Sequence, residues 1–335
     1  MATRADPQTL VDRMLGGDRL ALARLITVAE NRSDAVPAVM RAVHARAQRG
    51  YVVGVTGPPG AGKSTIVDRL TSALRAGGDT VGIVAVDPSS PFTGGAVLGD
   101  RIRMQTHVLD PGVFIRSMAT RGVFGGVARA TGVVVKLLAA FGFDWTLVET
   151  VGVGQTELDV MKLADSTVVV LVPEAGDAVQ AMKAGLLEAA DIMVVNKADR
   201  PGAPALMAEL KFSAHLQYTS APAERESAPA ERDVDWEIPV LSTEAQQDRG
   251  ITELLGEIRR HRAVLEASGA LAERRRQRRR AELRALLVEA FTASVEGRLR
   301  AGDLGPTFDD VAEGRVDPYS AAEAILARVL SLGGS

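Results

Sequence analysis

The residues with the clearest chemical purpose are Gly57, Pro58, Pro59, Gly60, Ala61, Gly62, Lys63, Ser64 and Thr65, which match G-x-x-x-x-G-K-[ST]. Successive backbone N–H groups can turn inward on a polyphosphate only where glycines let the chain approach closely. A helix starting near Lys63 presents its positive N-terminal end to the same phosphates. Lys63 is expected to reach the β and γ phosphates, and the Ser64 hydroxyl to bind Mg²⁺.

A second constellation reads a base. Asn196, Lys197, Ala198 and Asp199 close the run DIMVVN. A carboxylate can accept from guanine N1–H and the 2-amino group together. Adenine lacks that donor pair, so Asp199 selects guanine by being left unsatisfied with the wrong base. Asn196 and Lys197 are expected to support the loop and stack over the base. Ser242 and Thr243, placed after the strand IPVL, either complete the pocket or cap a helix.

Magnesium calls for carboxylates on neighbouring strand ends. Asp87 ends VGIVAV and Glu149 ends WTLVE. An acid at a buried strand terminus is costly unless it is paired or metal-bound, which singles these two out. Asp100, in the loop GGAVLGDRIRM, reads equally as a metal ligand or a solvated carboxylate. In ETVGVGQTE, Gly152 is placed to donate its N–H to the γ-phosphate. Its neighbour is Val153 where many small GTPases carry a water-orienting glutamine, and Gln155 lies further on. Slow intrinsic hydrolysis, accelerated by a partner or a loop rearrangement, is the expectation.

These residues need a frame, and the surrounding pattern supplies one. Residues 51–56, 81–86, 113–118, 145–149, 166–172, 191–196 and 238–241 are short β-branched runs separated by helical stretches. Apolar runs without alternation suit strands buried on both faces of a parallel sheet. The expectation is a doubly wound, mostly parallel α/β domain over 51–268. Residues 1–50 read as a helical packing extension broken at Gly16-Gly17, with a second helix over Ala35–Gln48. Residues 269–335 read as a helical arm, with one helix in 271–300 and another over Pro318–Leu332. In that arm Leu283, Leu286, Leu287, Phe291, Val295 and Leu299 share a stripe. Residues 219–235 contain SAPAER twice and read as an exposed loop insertion.

Composition excludes several classes. The 335 residues are 46% hydrophobic and 24% charged, which suits a globular protein and rules out a mainly disordered chain. A formal net charge of −3 argues against a polyanion binder. With no cysteine, disulfides, thiolate metal sites and cysteine nucleophiles are excluded. No leader is legible at the start and no apolar run approaches the ~20 residues of a membrane span, so a cytoplasmic protein with no membrane contact is expected.

GVTGPPGAGKST, VAVDPSSPFTGGAVLGDRIRM, ETVGVGQTE and VVNKADR, in this order, closely resemble the MeaB/ArgK family of GTPase chaperones associated with methylmalonyl-CoA mutase. The resemblance implies a homodimeric SIMIBI-class GTPase using GTP and Mg²⁺, with an N-terminal helical extension and a C-terminal dimerisation arm. It implies that Lys63, Ser64, Asp87, Asp100 and Glu149 surround the metal and phosphates, which moves Asp100 to the metal side. It implies a further switch after the fifth strand, PEAGDAVQAMKAG, where Gln180 and Lys183 couple to a cobalamin-dependent acyl-CoA mutase. Family members gate adenosylcobalamin loading and protect the mutase, and a cobalamin adenosyltransferase is a further implied partner. This chain departs from many relatives in its longer base-pocket segment LSTEAQQDRGI and in the SAPAER duplication.

Competing readings are weaker. A P-loop kinase or ATPase linked to amino-acid transport is opposed by NKAD. A metal-insertion GTPase is opposed by the absent cysteines and only four scattered histidines. A partitioning ATPase needs an extra early lysine where Pro58 and Pro59 stand. The arginine run 274–280 resembles a nucleic-acid arm, but no aromatic residue interrupts it to offer a stacking surface.

Overall fold

Seven of the apolar runs become strands of one sheet in which every neighbouring pair is parallel. The computed structural model describes residues 6–31, 33–87, 105–119, 126–150, 161–173, 187–219 and 235–331. In chain order the elements are α1 (Pro7–Leu15), α2 (Arg19–Glu30), α3 (Val36–Val43), β1 (Tyr51–Thr56), α4 (Lys63–Ala76), β2 (Val81–Asp87), β3 (Val113–Ala119), α5 (Gly126–Phe141), β4 (Trp145–Thr150), β5 (Ser166–Leu171), β6 (Ile192–Asn196), α6 (Ala203–Thr219), β7 (Val240–Thr243), α7 (Ile251–Ser268), α8 (Ala270–Arg300), α9 (Gly305–Ala312) and α10 (Pro318–Ser331). The sheet order is β3-β2-β4-β1-β5-β6-β7. The chain therefore winds outward in one direction from β1 to β2 and β3, and in the other through β5, β6 and β7. The carboxyl end of β1 sits where that direction reverses, which is where doubly wound sheets bind ligands.

The first unit is Met1–Arg274. Its core falls into three clusters on the two faces of the sheet. Val52, Val84 and Val148 pack with the apolar faces of α1, α2, α3 and α5. Val53, Val55, Ile83 and Leu147 face α4 and α7 on the other side. Val169, Leu171, Met193 and Val195 are covered by α6. Each fully buried aliphatic side chain contributes about 1.5–3 kcal/mol, so burial on both faces makes this sheet the rigid base of the site. The N-terminal helices are also held by charge. Arg19 donates to the carbonyls of Pro111 and Val113, and Arg116 pairs with Glu30, tying α2 to β3.

The second unit is Arg275–Ser335. Leu304 and Ala321 are its buried apolar residues among those described, and Arg328 donates to the Asp303 carbonyl at 3.2 Å. Leu283, Leu286, Leu287 and Val288 on α8 are exposed in the single chain. No helix among the described residues is long and apolar enough to cross a membrane.

Two sequence expectations are corrected, and one helix was not anticipated. The seventh strand is Val240–Thr243 and not 238–241, so Ser242 and Thr243 are strand residues rather than residues after it. Parallel pairing of Val195 with Ser242 and Asn196 with Thr243 extends the ladder through these polar side chains. The helix read over Ala35–Gln48 is regular only over Val36–Val43. The short helix Gly305–Ala312 was not legible, because it opens on Gly-Pro and has only two turns.

A buried polar chain closes the base of the sheet, opposite the phosphate loop. The Tyr51 hydroxyl meets Ser166 Oγ at 2.6 Å, and Ser166 Oγ meets His261 Nδ1 at 2.6 Å. His261 Nε2 lies 3.4 Å from Asp191 Oδ1, which also accepts from Arg274. Burial lowers the His261 pKa from its ordinary 6.5. Asp191 and Asp165 oppose the shift, while Arg274 and Arg260 add to it. A histidine held neutral in the fold but protonated when unfolded contributes stability above pH 6.5 that is lost as pH falls toward its folded value. Urea midpoints measured at pH 7.5 and 5.5 are expected to fall with pH, and to fall less in His261→Gln. An equal fall in both proteins would remove His261 as the cause.

Candidate functional site

The phosphate loop spans the gap between β1 and α4, and its backbone is shaped for close approach. Gly57 has φ 142°, and a Cβ there would lie 2.0 Å from the Val170 carbonyl oxygen on β5. Gly62 has φ 90°, and a Cβ there would lie 2.3 Å from Asn196 Nδ2. Side chains are therefore excluded at both ends of the loop by strands on the far side of it. Between them, Gly60 at φ 76° has nothing within 4 Å of a Cβ position, leaving its outer side open.

Lys63 is buried, with Nζ donating to the carbonyls of Gly57 at 2.8 Å and Pro58 at 2.9 Å. The ammonium is thus stored inside the cradle a polyphosphate would fill. Ser64 Oγ donates to Glu149 Oε1 at 2.5 Å, and both residues are buried. A hydroxyl and a carboxylate meeting beside a phosphate cradle are the hard oxygen donors that Mg²⁺ takes, so the residues present fit the metal. Asp87 is the last residue of β2, on the same edge of the sheet as Glu149.

The segment 196–199, expected to read guanine, is hydrogen-bonded to this loop. Asn196 Nδ2 donates to the Ala61 carbonyl at 2.8 Å, while its Oδ1 accepts from Thr243 Oγ1 at 3.0 Å and from the Ala245 N–H at 3.2 Å. Lys197 Nζ reaches the Gly60 carbonyl at 2.8 Å from a backbone at φ 55°. Asp199 is exposed and has no side-chain partner among the described residues, so both of its oxygens remain available to a base. Thr243 is buried and joins the site through Asn196, whereas Ser242 is exposed on the strand.

Asp100, Gly152, Gln180 and Lys183 lie outside the described residues. Two contributions were missed in the sequence. The Ala245 N–H completes the Asn196 amide, and an alanine after a strand carries no chemical signal. Thr150 Oγ1 donates to Thr56 Oγ1 at 2.9 Å, joining the root of the phosphate loop to the strand that leads into ETVGVGQTE. Both threonines read simply as strand formers.

Known proteins extend this picture. The family model described as methylmalonyl Co-A mutase-associated GTPase MeaB matches residues 22–299. A provisionally named GTPase of Pyrococcus abyssi is 47% identical over 324 residues, covering 97% of this chain and 97% of its own. The mouse mitochondrial methylmalonic aciduria type A homolog is 32% identical over 339 residues, covering 95% of this chain and 79% of its own. A crystal structure titled LAO/AO transport system kinase superposes with a TM-score of 0.65 at 25% identity, covering all of both chains. A phosphate loop fastened to the end of β6 through Asn196 and Lys197 accords with that family match, and the chain belongs to the MeaB family of GTPases.

Proposed function

We propose that this GTPase binds GTP with Mg²⁺ at the site above and serves, in the cytoplasm, as a chaperone of a cobalamin-dependent acyl-CoA mutase, methylmalonyl-CoA mutase or a close relative. The observation that carries the partner is the family match over residues 22–299. The reaction converts GTP and water to GDP and phosphate. Lys63 leaves the carbonyls of Gly57 and Pro58 for the β and γ phosphate oxygens, while the loop amides from Gly60 to Thr65 donate to the remaining charge. Ser64 and Glu149, with Asp87 and Asp100, are the residues to hold Mg²⁺, which supplies charge neutralisation on the transferring phosphoryl group. Gly152 senses the γ-phosphate through its N–H. Val153 beside it cannot orient water, so the basal rate is slow and partner-dependent.

The useful output is a change of switch conformation on loss of the γ-phosphate. We assign mutase coupling to Gln180 and Lys183, and homodimerisation to the arm over 269–335. Exposed Leu283, Leu286 and Leu287 on α8 support the second assignment. A cobalamin adenosyltransferase is the further partner of this scheme, and loading of adenosylcobalamin is the step that nucleotide state gates.

The test is turnover with and without purified mutase. Gln180→Ala and Lys183→Ala are expected to keep the basal rate while losing most of the mutase stimulation. Stimulation equal to that of the unmodified protein would end the switch assignment. If no candidate mutase co-purifies in the presence of a non-hydrolysable GTP analogue, the chaperone reading fails as a whole.

A further inference from the structure

A cleft of about 640 Å³ opens at the end of the sheet opposite the phosphate loop, where the chain enters β1, β2 and β4 beside α7. Six residues of a strand separate the two ends, roughly 20 Å. Arg49, Arg259 and Arg262 line this cleft together with Asp79, Asp144 and Trp145. All of them belong to the first unit. We propose that this cleft is a second ligand site, which takes a metabolite-sized anion bearing a phosphate or carboxylate group.

Arg262 is the anchor. Its guanidinium carbon lies 5.1 Å from the centroid of the Tyr51 ring and 5.2 Å from that of Trp145. The two rings are themselves fixed edge to face at 5.4 Å. Its Nε donates to Glu266 at 2.8 Å, which leaves both terminal nitrogens outside that bond. An arginine already ordered by two aromatic rings loses little further freedom when it grips an anion. Arg259 uses one terminal nitrogen on Asp79, at 3.0 Å. Arg49 is exposed and has no ion-pair partner among the described residues.

The carboxylates leave some of these donors open. Asp144 is occupied with the Thr80 N–H at 2.8 Å and the Thr80 hydroxyl at 2.7 Å, where it holds the entry to β2. Asp79 pairs with Arg259 and Glu266 with Arg262. The open donors of this concavity are therefore Arg49 and the terminal nitrogens of Arg262. Planar forks suit phosphate and carboxylate oxygens in pairs. The volume falls in the range of small-molecule pockets, about 300–1,000 Å³, and exceeds a lone phosphate. Gly142, at φ 115° with nothing within 4 Å of a Cβ position, keeps one wall free of side chains.

The test uses the full-length protein saturated with GDP, so that the phosphate loop cannot take up a probe. Glucose 6-phosphate and succinate are titrated separately by calorimetry at low salt. We expect one saturable site for at least one probe, weakened about tenfold or more in Arg49→Glu and in Arg262→Ala, with GDP affinity unchanged. Because Arg49 is exposed, Arg49→Glu keeps the test valid if loss of Arg262 disturbs packing. A response to glucose 6-phosphate alone assigns a phosphate ligand, to succinate alone a carboxylate, and to both the shared chemistry. No saturable heat with either probe, unchanged binding in Arg49→Glu, or competition with GDP would overturn the proposal.

Discussion

Lys63→Ala is expected to lower GTP turnover by about a thousandfold or more. The Lys63 ammonium is buried and already inside the cradle, 2.8 Å from the Gly57 carbonyl and 2.9 Å from that of Pro58. When a triphosphate enters, this charge lies where negative charge builds on the β–γ bridge, and in a site this buried it acts with little screening by water. Ground-state affinity is expected to fall as well, because the same ammonium meets bound GTP. The substitution also removes two hydrogen bonds that order the loop, so a modest loss of thermal stability accompanies it. The sheet beneath is untouched, and circular dichroism is expected to report an unchanged fold. Single-turnover hydrolysis at saturating GTP separates the two effects. Retention of more than a tenth of the unmodified rate would take Lys63 out of the reaction.

Asp199→Asn is expected to weaken GTP binding by roughly 10²–10⁴-fold, since two hydrogen bonds to a charged acceptor are each worth about 1.5–3 kcal/mol. An asparagine amide offers one acceptor and one donor. Xanthine replaces the guanine 2-amino group with a carbonyl, so the variant is expected to gain affinity for XTP while losing it for GTP. Asp199 is exposed and has no side-chain partner among the described residues, so the fold is expected to stand. Competition titrations with GTP, XTP and ATP give the result directly. A variant that still preferred GTP would place base reading on another residue, and a native protein that preferred ATP would remove the GTP reading altogether.

How much was legible in advance follows from how local each signal is. β1, β2, β4, β5 and β6 were readable because strands buried on both faces carry unbroken β-branched runs. β7 was displaced by two residues, because Ser242 and Thr243 look like loop chemistry until pairing with Val195 and Asn196 holds them in the ladder. The phosphate loop was readable whole, since its conformation depends on glycines a few residues apart. The arginine run 274–280 was not. Arg274 turns out to be a structural residue, donating to the Asp165 carbonyl at 3.1 Å and pairing with Asp191. Nothing in a string of arginines distinguishes the one that turns inward.

By itself the sequence determined the phosphate loop and the parallel α/β class, and it singled out Asp199 as the carboxylate proposed to select guanine, because each is written in side chains or backbone freedom within a short stretch. Only the tertiary structure decided that Asn196 joins Ala61 to Thr243 and Ala245, that Thr150 is fastened to Thr56, and that Arg49 shares one cleft with Arg259 and Arg262 of α7. Those partners are far apart along the chain. They meet because parallel strands, once in register, bring all their carboxyl ends to one edge of the sheet and all their entry turns to the other.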